Sequence, residues 1–292
     1  MLKLGITFSL FFLSLLAVGQ ELSLLKLKQA SIQPFVMGGA IERQFSSSDA
    51  LLFTNNDELL QVSDMKDSYY FYGFNSNIGL NISTGFQIRA KDNNYYHKAP
   101  LIRIGLQGSS LNMFNFYGEK KELTTFDTLT SNQTNQVWYS DSVDATYYNV
   151  NKRAQLLSLD ASLIFQTDTE KKWSLYGGAG FTAGLSINSF TEISGGNSRY
   201  VQQRSMNNET NRIGYGSASS GIHSRHDNQT NFMSTLYIPI GINVNLGCNS
   251  DFWRRIHLFY EFRSGVSFVS VPESSNYTGF TFLHGIGLSV VL

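Results

Sequence analysis

Residues 235–247, TLYIPIGINVNLG, distinguish between two folds. Every even position in this stretch is aliphatic, whereas the odd positions carry threonine, tyrosine, proline, glycine and asparagine. Successive side chains of a strand point to opposite faces, so the stretch predicts a strand with one aliphatic face and one small or polar face. If the aliphatic face packs into a core, the fold is a soluble β-sandwich. If it faces lipid, the fold is a membrane barrel.

Seven further segments show the same strand periodicity, and no long segment shows a helical period. They are 33–45, 70–90, 101–117, 153–167, 173–193, 256–269 and 279–292. These segments run to about 12–20 residues, whereas strands of soluble proteins have a mode of about 5–6. A tilted membrane-spanning strand needs about 9–11 residues, so each segment is long enough to cross a bilayer.

The connections between the segments alternate between long and short. The long ones are 46–69, 118–152 and 194–231, and the short ones are 91–100, 168–172 and 248–255, with 270–278 of intermediate length. Outer-membrane barrels combine long surface loops with short periplasmic turns. The sequence therefore predicts an eight-stranded antiparallel up-and-down transmembrane β-barrel with long extracellular loops and short periplasmic turns.

Composition supports a chain that is surrounded by lipid rather than by water. Charged residues make up 15% of the chain, below the ~25% of soluble domains, and aromatic residues make up 14%. The formal net charge is zero, so composition predicts no nucleic-acid partner. The single cysteine, Cys248, excludes an intramolecular disulfide framework.

The N-terminal residues have the layout of an export signal. Lys3 precedes an apolar run that ends in small residues at Ala17 and Gly19. This pattern predicts a signal peptide over 1–19, a periplasmic N-terminal segment over 20–32 and the barrel over 33–292. Because a bilayer requires every backbone amide to be paired, the sheet is expected to close on itself in the cell outer membrane.

Aromatic residues lie where the two membrane interfaces are expected. The predicted outer rim comprises Tyr69, Tyr70, Phe71, Tyr72, Phe114, Phe116, Tyr117, Phe268, Tyr277 and Phe280, and the inner rim Phe86, Phe165 and Trp173. Between these rims, the aliphatic faces are expected to contact outer-membrane lipid.

Six charged residues fall on the predicted inward faces. They are Glu42, Arg89, Arg103, Asp160, Glu261 and Arg263. The interior of an eight-stranded barrel is filled by side chains, and unpaired buried charges are costly. The sequence therefore predicts an internal salt-bridge plug, with a gated or proton-conducting path as the alternative. Arg89 and Arg103 are expected nearer the periplasmic rim and the other four near mid-height. Pro239 also faces inward, which predicts a bulge or local distortion because proline cannot donate to the ladder.

Two histidine-containing stretches were weighed as chemical sites. His284 lies on an outward face, but no serine stands two residues away to form a lipid-facing hydrolase pair. His223, His226 and Asp227 lie close together in the third long connection, without a recognised metal-ligand spacing. We therefore expect no catalytic residue, no metal and no cofactor, and a loop-proximal or interfacial position for His284.

The chain resembles the small outer-membrane β-barrel domain proteins of diderm bacteria, the OmpX-like and PorT-like group. The resemblance rests on the export signal with Gln20 after it, the eight amphipathic segments, the stretch LYIPIGINVNLG, and the final strand FTFLHGIGLSVVL. It implies architecture rather than activity.

Together with the residue patterns, this resemblance favours a non-enzymatic, monomeric barrel with a structural or surface-interaction role through its long loops, and with a possible envelope protein partner. The alternatives are an accessory barrel of a secretion or assembly complex, a lipid-A-modifying enzyme, and a soluble lipocalin-like binder with its faces reversed.

Overall fold

The computed structural model describes most of the segments that the sequence predicted as strands. Described are residues 25–41, 67–71, 77–88, 100–167, 171–205, 209–218, 221–247, 251–272 and 276–292. The predicted signal peptide 1–19 lies outside them, as do Glu42 and Arg89. Within these ranges, no helix has the length and apolar character needed to cross a membrane.

The described residues form eleven strands and one helical turn, Asp251–Arg254. The strands are β1 Leu25–Ile41, β2 Asp67–Phe71, β3 Asn77–Ile88, β4 Leu101–Thr130, β5 Val137–Gln166, β6 Trp173–Ser205, β7 Thr210–Ala218, β8 Ile222–Asp227, β9 Phe232–Asn245, β10 Ile256–Ser270 and β11 Tyr277–Val291.

Eight of the strands close into an antiparallel ring in the order β1, β3, β4, β5, β6, β9, β10, β11. The ring closes where β1 pairs with β11, from Gln29 opposite Val291 to Ile41 opposite Gly279. The predicted eight-stranded up-and-down barrel is therefore confirmed. Its first strand begins at Leu25 rather than at residue 33, so most of the segment assigned to a periplasmic N-terminus is paired barrel wall.

The outside of the barrel is aliphatic, as the opening stretch predicted. Leu236, Ile238 and Ile240 are 66%, 56% and 58% exposed on the outer surface, whereas Tyr237 between them is 4% exposed inside. The same alternation runs along β5, β10 and β11. A closed ladder wrapped in a continuous apolar surface is the arrangement that a strand-built protein needs in hydrocarbon. The chain is thus an outer-membrane barrel.

The inward face of β1 differs from the one that the sequence implies. With a period of two, the predicted inward position of Glu42 would place Phe35 and Met37 outside. In the structure both side chains are buried inside the barrel, while Ile32 and Val36 lie outside. Strand β1 carries apolar residues on both faces over this stretch, so alternation alone could not choose between them.

A β-bulge in β4 overturns part of the predicted aromatic belt. The register between β4 and β5 shifts between Asn112 and Phe114. Beyond this point the inward and outward positions exchange, so Phe114 and Phe116 turn into the interior and are almost fully buried. Phe86 is also buried rather than exposed at the inner rim, whereas Phe165 and Trp173 are exposed as predicted.

The long connections are mostly strand where the structure describes them. Strands β4, β5 and β6 continue past the barrel rim to lengths of 30, 30 and 33 residues. We call this projection the arm: residues 114–130, 137–153 and 190–205, with β7 and β8 paired along β6 and β2 along β4. At ~3.3 Å per residue, its strands reach about 50 Å beyond the rim.

An apolar core joins the outer half of the barrel interior to the base of the arm. Buried together there are Phe35, Met37, Leu111, Met113, Phe114, Phe116, Tyr148, Val150, Ala154, Leu156, Ile193, Met233, Val269, Val271, Tyr277 and Leu283. The barrel is thus polar in its middle and apolar at its outer end.

The inward proline of β9 causes the expected local distortion. Pro239 stays opposite Arg263 of β10 in an unbroken register. On its other side, the ladder to β6 has no paired residues between Ile240 and Tyr237, and it resumes in the same register. The hydrogen-bonded ladder between β9 and β6 is interrupted beside Pro239, which lacks an amide donor, and no extra residue is inserted into the strand.

Candidate functional site

Four of the six predicted inward charges meet in the middle of the barrel. Arg103 comes from β4, Asp160 from β5, and Glu261 and Arg263 from β10. All four are buried, from 0% exposure for Glu261 to 5% for Arg103. We call these four residues the lumen charge cluster. Glu42 and Arg89 lie outside the described residues, so the structure does not place them.

Glu261 accepts hydrogen bonds from both arginines of the cluster. Two nitrogens of the Arg103 guanidinium donate to its two carboxylate oxygens, at 2.7 and 3.0 Å, and Nε of Arg263 donates to Oε1 at 2.6 Å. The bidentate fork from Arg103 fixes the carboxylate plane as well as its charge. Nε of Arg103 also donates to Ser162 Oγ at 3.1 Å, so neighbouring β5 holds the guanidinium from its side.

Arg263 links the two carboxylates across the lumen. Besides Glu261, it donates to Asp160 Oδ2 at 3.0 Å and approaches Gln33 Oε1 at 3.4 Å. Its guanidinium carbon lies 4.7 Å from the centre of the Tyr237 ring. Arg263 therefore connects β10 with β1, β5 and β9, which are spread around the barrel.

Asp160 is satisfied by neutral donors on its remaining sides. Asn81 Nδ2 donates to Oδ2 at 2.6 Å, and the Tyr237 hydroxyl donates to Oδ1. The Tyr237 ring occupies the space above Gly180, where an added Cβ would lie 2.3 Å from the ring. Glycines on the inward face thus make room for the aromatic side chains that complete the cluster.

The lumen charge cluster sums to zero charge, with two guanidinium groups opposite two carboxylates. Such groups persist in a buried site only when each charge is paired and hydrogen-bonded, as each is here. The arrangement offers no free nucleophile, because both carboxylates accept from several donors. The cluster links β4, β5 and β10 across the barrel interior by buried ion pairs.

Small cavities flank the cluster on both sides. A cavity of about 30 Å³ lies towards the outer core and is lined by residues including Met37, Gln107, Thr182, Met233 and Arg263. A second cavity of about 10 Å³, lined by residues including Gln29, Leu101, Arg103, Tyr176 and Phe259, lies on the other side. Such volumes hold about one or two water molecules each, and the cluster stands between them. Within the described residues, the interior is filled rather than open.

Sequence analysis placed Arg103 nearer the periplasmic rim than the other members. Its backbone does lie two residues further along the wall than Asp160, because Arg103 pairs with Ser162. The long side chain nevertheless reaches Glu261. The neutral partners Gln33, Asn81 and Tyr237 were not identified, since polar inward residues of a barrel are common and only the closed ring shows which of them meet.

His284 lies on the lipid-facing surface, as predicted, but not near an interface. It pairs across the sheet with Phe262, which pairs with Ile240 at the middle of the aliphatic stripe of β9. Its Nδ1 lies 2.7 Å from the Tyr260 hydroxyl. The bonded neighbour is thus a tyrosine, and the pair does not form a serine hydrolase arrangement.

The stretch with His223, His226 and Asp227 is strand β8, paired with β6 rather than looped out. Alternation places His226 on the opposite face from His223 and Asp227, so the three side chains do not converge. Across the ranges that the structure describes, no group of three or more histidine, cysteine, aspartate or glutamate side chains is arranged to hold a metal ion.

Comparison with known proteins gives only distant structural likenesses. No family model and no curated protein matches the sequence. Neisserial surface protein A shares 12% identity with a TM-score of 0.37, over 92% of this chain and 99% of that chain. Ail, the attachment invasion locus protein of Yersinia pestis, solved with the heparin analogue sucrose octasulfate, shares 11% identity with a TM-score of 0.26, over 90% and 99%.

The outer membrane protease OmpT from Escherichia coli shares 7% identity with a TM-score of 0.26, over 92% of this chain and 97% of that chain. At these scores none of the likenesses carries an argument about activity. The assignment of the barrel rests on this chain's own strand pairing and burial.

Proposed function

We propose that this protein is a non-enzymatic outer-membrane barrel whose role is to hold the arm outside the cell for contact with a partner. The observation that carries the proposal is the continuity of β4, β5 and β6. The same three strands form the wall that is anchored by the lumen charge cluster and then project as the ordered arm. In this proposal the barrel anchors the protein in the membrane, and the arm provides the surface that contacts a partner.

The filled interior supports an anchoring role rather than a transport role. Above the lumen charge cluster the apolar core continues into the base of the arm, so a solute would have to cross both layers. Ions do not pass an apolar layer of packed side chains without a large desolvation cost. The wild-type protein is therefore expected to give no stable conductance in a planar bilayer, and a steady open channel would contradict this part of the proposal.

The tip of the arm offers an exposed apolar surface in water. Leu123, Phe126 and Leu129 on β4 are 52%, 61% and 46% exposed. Beyond Glu119, β5 is the only strand among the described residues that pairs with this part of β4. Exposed apolar side chains in water favour a protein partner that covers them.

An envelope protein is the kind of partner that this surface would bind. The most specific version of this proposal is that the protein is an accessory barrel of a secretion or assembly complex. This part of β4 carries both signs of charge, with Glu119 paired to Lys121 and Glu122 paired to Lys120. Charges that are already paired with each other favour apolar contact over attraction by net charge.

Site-specific photo-cross-linking in intact cells tests the role of the arm. A photoreactive side chain at Phe126 is expected to give a protein adduct, and the matched control at Thr134, exposed in the turn between β4 and β5, is expected to give much less. Deleting 120–145, which also removes both probe positions, should leave a barrel that still migrates faster before boiling. Equal labelling at Phe126 and Thr134 would argue against a partner at this surface.

A further inference from the structure

The pair formed by Tyr260 and His284 is unusual because it places polar groups on the lipid-facing surface at mid-height. Both side chains are exposed on the outside of the barrel, and their register with Ile240 puts them at the centre of the aliphatic stripe. Water is absent at this depth, so each hydrogen-bonding group must find a partner in protein.

Counting donors shows that the pair cannot satisfy itself. An uncharged imidazole carries one N–H donor, and the Tyr260 hydroxyl is a second donor. The single hydrogen bond between Nδ1 and the hydroxyl uses one of these two donors. In one tautomer Nε2–H of His284 remains, and in the other the tyrosine O–H remains. Either way, one donor points into hydrocarbon, where an unpaired polar group costs several kcal/mol.

A second copy of the same surface supplies the missing acceptor. When the Tyr260 hydroxyl donates to Nδ1 within one copy, its oxygen still accepts, and Nε2–H of the facing copy is free to donate to it. A twofold axis along the membrane normal keeps equivalent residues at the same depth, so the contact is reciprocal. Four donors and four acceptors then form a closed set in which no donor remains in lipid.

The surface around Tyr260 and His284 has a shape that allows a second copy of the chain to approach closely. Phe262 and Phe282 flank the imidazole, with ring centres 4.8 and 5.8 Å from it. Strands β9, β10 and β11 pair without a register shift, so this part of the wall is regular. Ser264 stands opposite Phe282, and small residues beside aromatic ones let membrane-embedded backbones come together.

We propose that a second copy of this chain docks laterally on the wall formed by β9, β10 and β11, with Tyr260 and His284 hydrogen-bonding across the twofold axis. This proposal differs from the monomeric barrel expected from the sequence. The dimer leaves both arms on the same side of the membrane, and it does not depend on what the arms contact.

Cysteine cross-linking in lipid vesicles tests the dimer, with Cys248→Ala removing the native thiol. Ile286→Cys lies next to the pair on β11. Leu159→Cys, on β5, provides the matched control, because it adjoins Asp160, which bonds to Arg263 at the same level. Both side chains are lipid-exposed, at 58% and 60%. We expect a species of twice the chain mass from Ile286→Cys, several-fold more abundant than from Leu159→Cys.

The variants His284→Phe and Tyr260→Phe separate this contact from general crowding. Each should keep heat-modifiable migration and lower the dimer association constant. At about threefold per intramembrane hydrogen bond, losing both reciprocal bonds gives roughly a tenfold decrease. Equal cross-linking at the two cysteine positions, an adduct of any other mass, or unchanged association in both variants would overturn the proposal.

Discussion

The wall of β9, β10 and β11 and the arm of β4, β5 and β6 are built from the same kind of strand but face different solvents. In the wall, every register is unbroken and alternation separates an aliphatic outside from a polar inside. In the arm, β4 has a register shift against β5 at Thr125/Asp127, and β6 has two against β7, at Ser198/Tyr200 and Val201/Gln202. Two further shifts, at Asn112/Phe114 and Gln155/Leu156, lie where the arm meets the barrel.

The difference shows what enforces a regular pattern. In hydrocarbon, a one-residue slip would turn a whole row of polar side chains towards lipid, so β9, β10 and β11 keep the period of two along their length. Above the membrane, the outer face of the arm meets water, and a bulge there only redirects a few side chains. Exposed Leu123 in the arm and exposed Ile240 in the wall therefore have similar exposure but different surroundings.

The largest expected effect comes from breaking the lumen charge cluster and comparing it with an ion pair of the arm. Glu261→Gln leaves two buried guanidinium groups opposite one carboxylate, which should cost about 3–5 kcal/mol of unfolding free energy. Its control is Glu192→Gln, whose partner Arg153 lies 3.7 Å away in a half-exposed pair worth ~0–1 kcal/mol.

Urea unfolding of the two variants in lipid vesicles measures the contrast. Similar losses of unfolding free energy for Glu261→Gln and Glu192→Gln would mean that the cluster is solvated rather than buried and fully paired.

A charge introduced at equal exposure tests the two surroundings directly. Ile240→Arg places a guanidinium at mid-membrane and should cost about 2–4 kcal/mol. Leu123→Arg should be within ~0.5 kcal/mol of wild type, because its side chain already meets water. The folded fraction after refolding into vesicles reports both. Equal tolerance at the two positions would place the aliphatic wall outside the bilayer.

The smallest effect is a pH response confined to the arm tip. The hydrogen bond from Arg204 to Asp141, at 2.9 Å, lowers the pKa of this carboxyl, with Thr125 donating at 2.6 Å as a further cause. The pKa of Asp144 is also lowered, by its hydrogen bond from Arg199. A lowered carboxyl pKa gives stability that is present above the ordinary range of ~4 and lost as pH falls through the folded value.

Fluorescence of Trp138, at the tip end of β5, follows this response. In a Trp173→Phe, Trp253→Phe background, the signal should be constant from pH 7 to about pH 5 and change below about pH 4, while heat-modifiable migration persists. Asp141→Asn should reduce the acid transition to the part that comes from Asp144. A transition centred near neutral pH would assign it to other groups.

The sequence was sufficient to predict the faces of a strand where one face meets lipid and the other meets a polar barrel interior. The eight segments, their outward aliphatic residues on β5, β9, β10 and β11, and the inward placement of Asp160, Glu261 and Arg263 all follow from a period of two. It failed where both faces are apolar, as at Phe35 and Met37 of β1, and where a bulge exchanges the faces, as at Phe114 and Phe116. Stretches of the arm were taken for loops because their outer face meets water and carries no aliphatic stripe, although Val143 and Val150 are buried on the other face.

What the sequence determined by itself is the local alternation, and hence a closed barrel that spans a membrane, because unpaired backbone cannot remain in hydrocarbon. What only the tertiary structure decided is how distant strands meet. Ring closure and strand stagger bring Arg103 of β4 to Glu261 of β10, join Asn81 and Tyr237 to Asp160, and set Tyr260 beside His284. These contacts depend on pairing register across many strands, which no local pattern encodes.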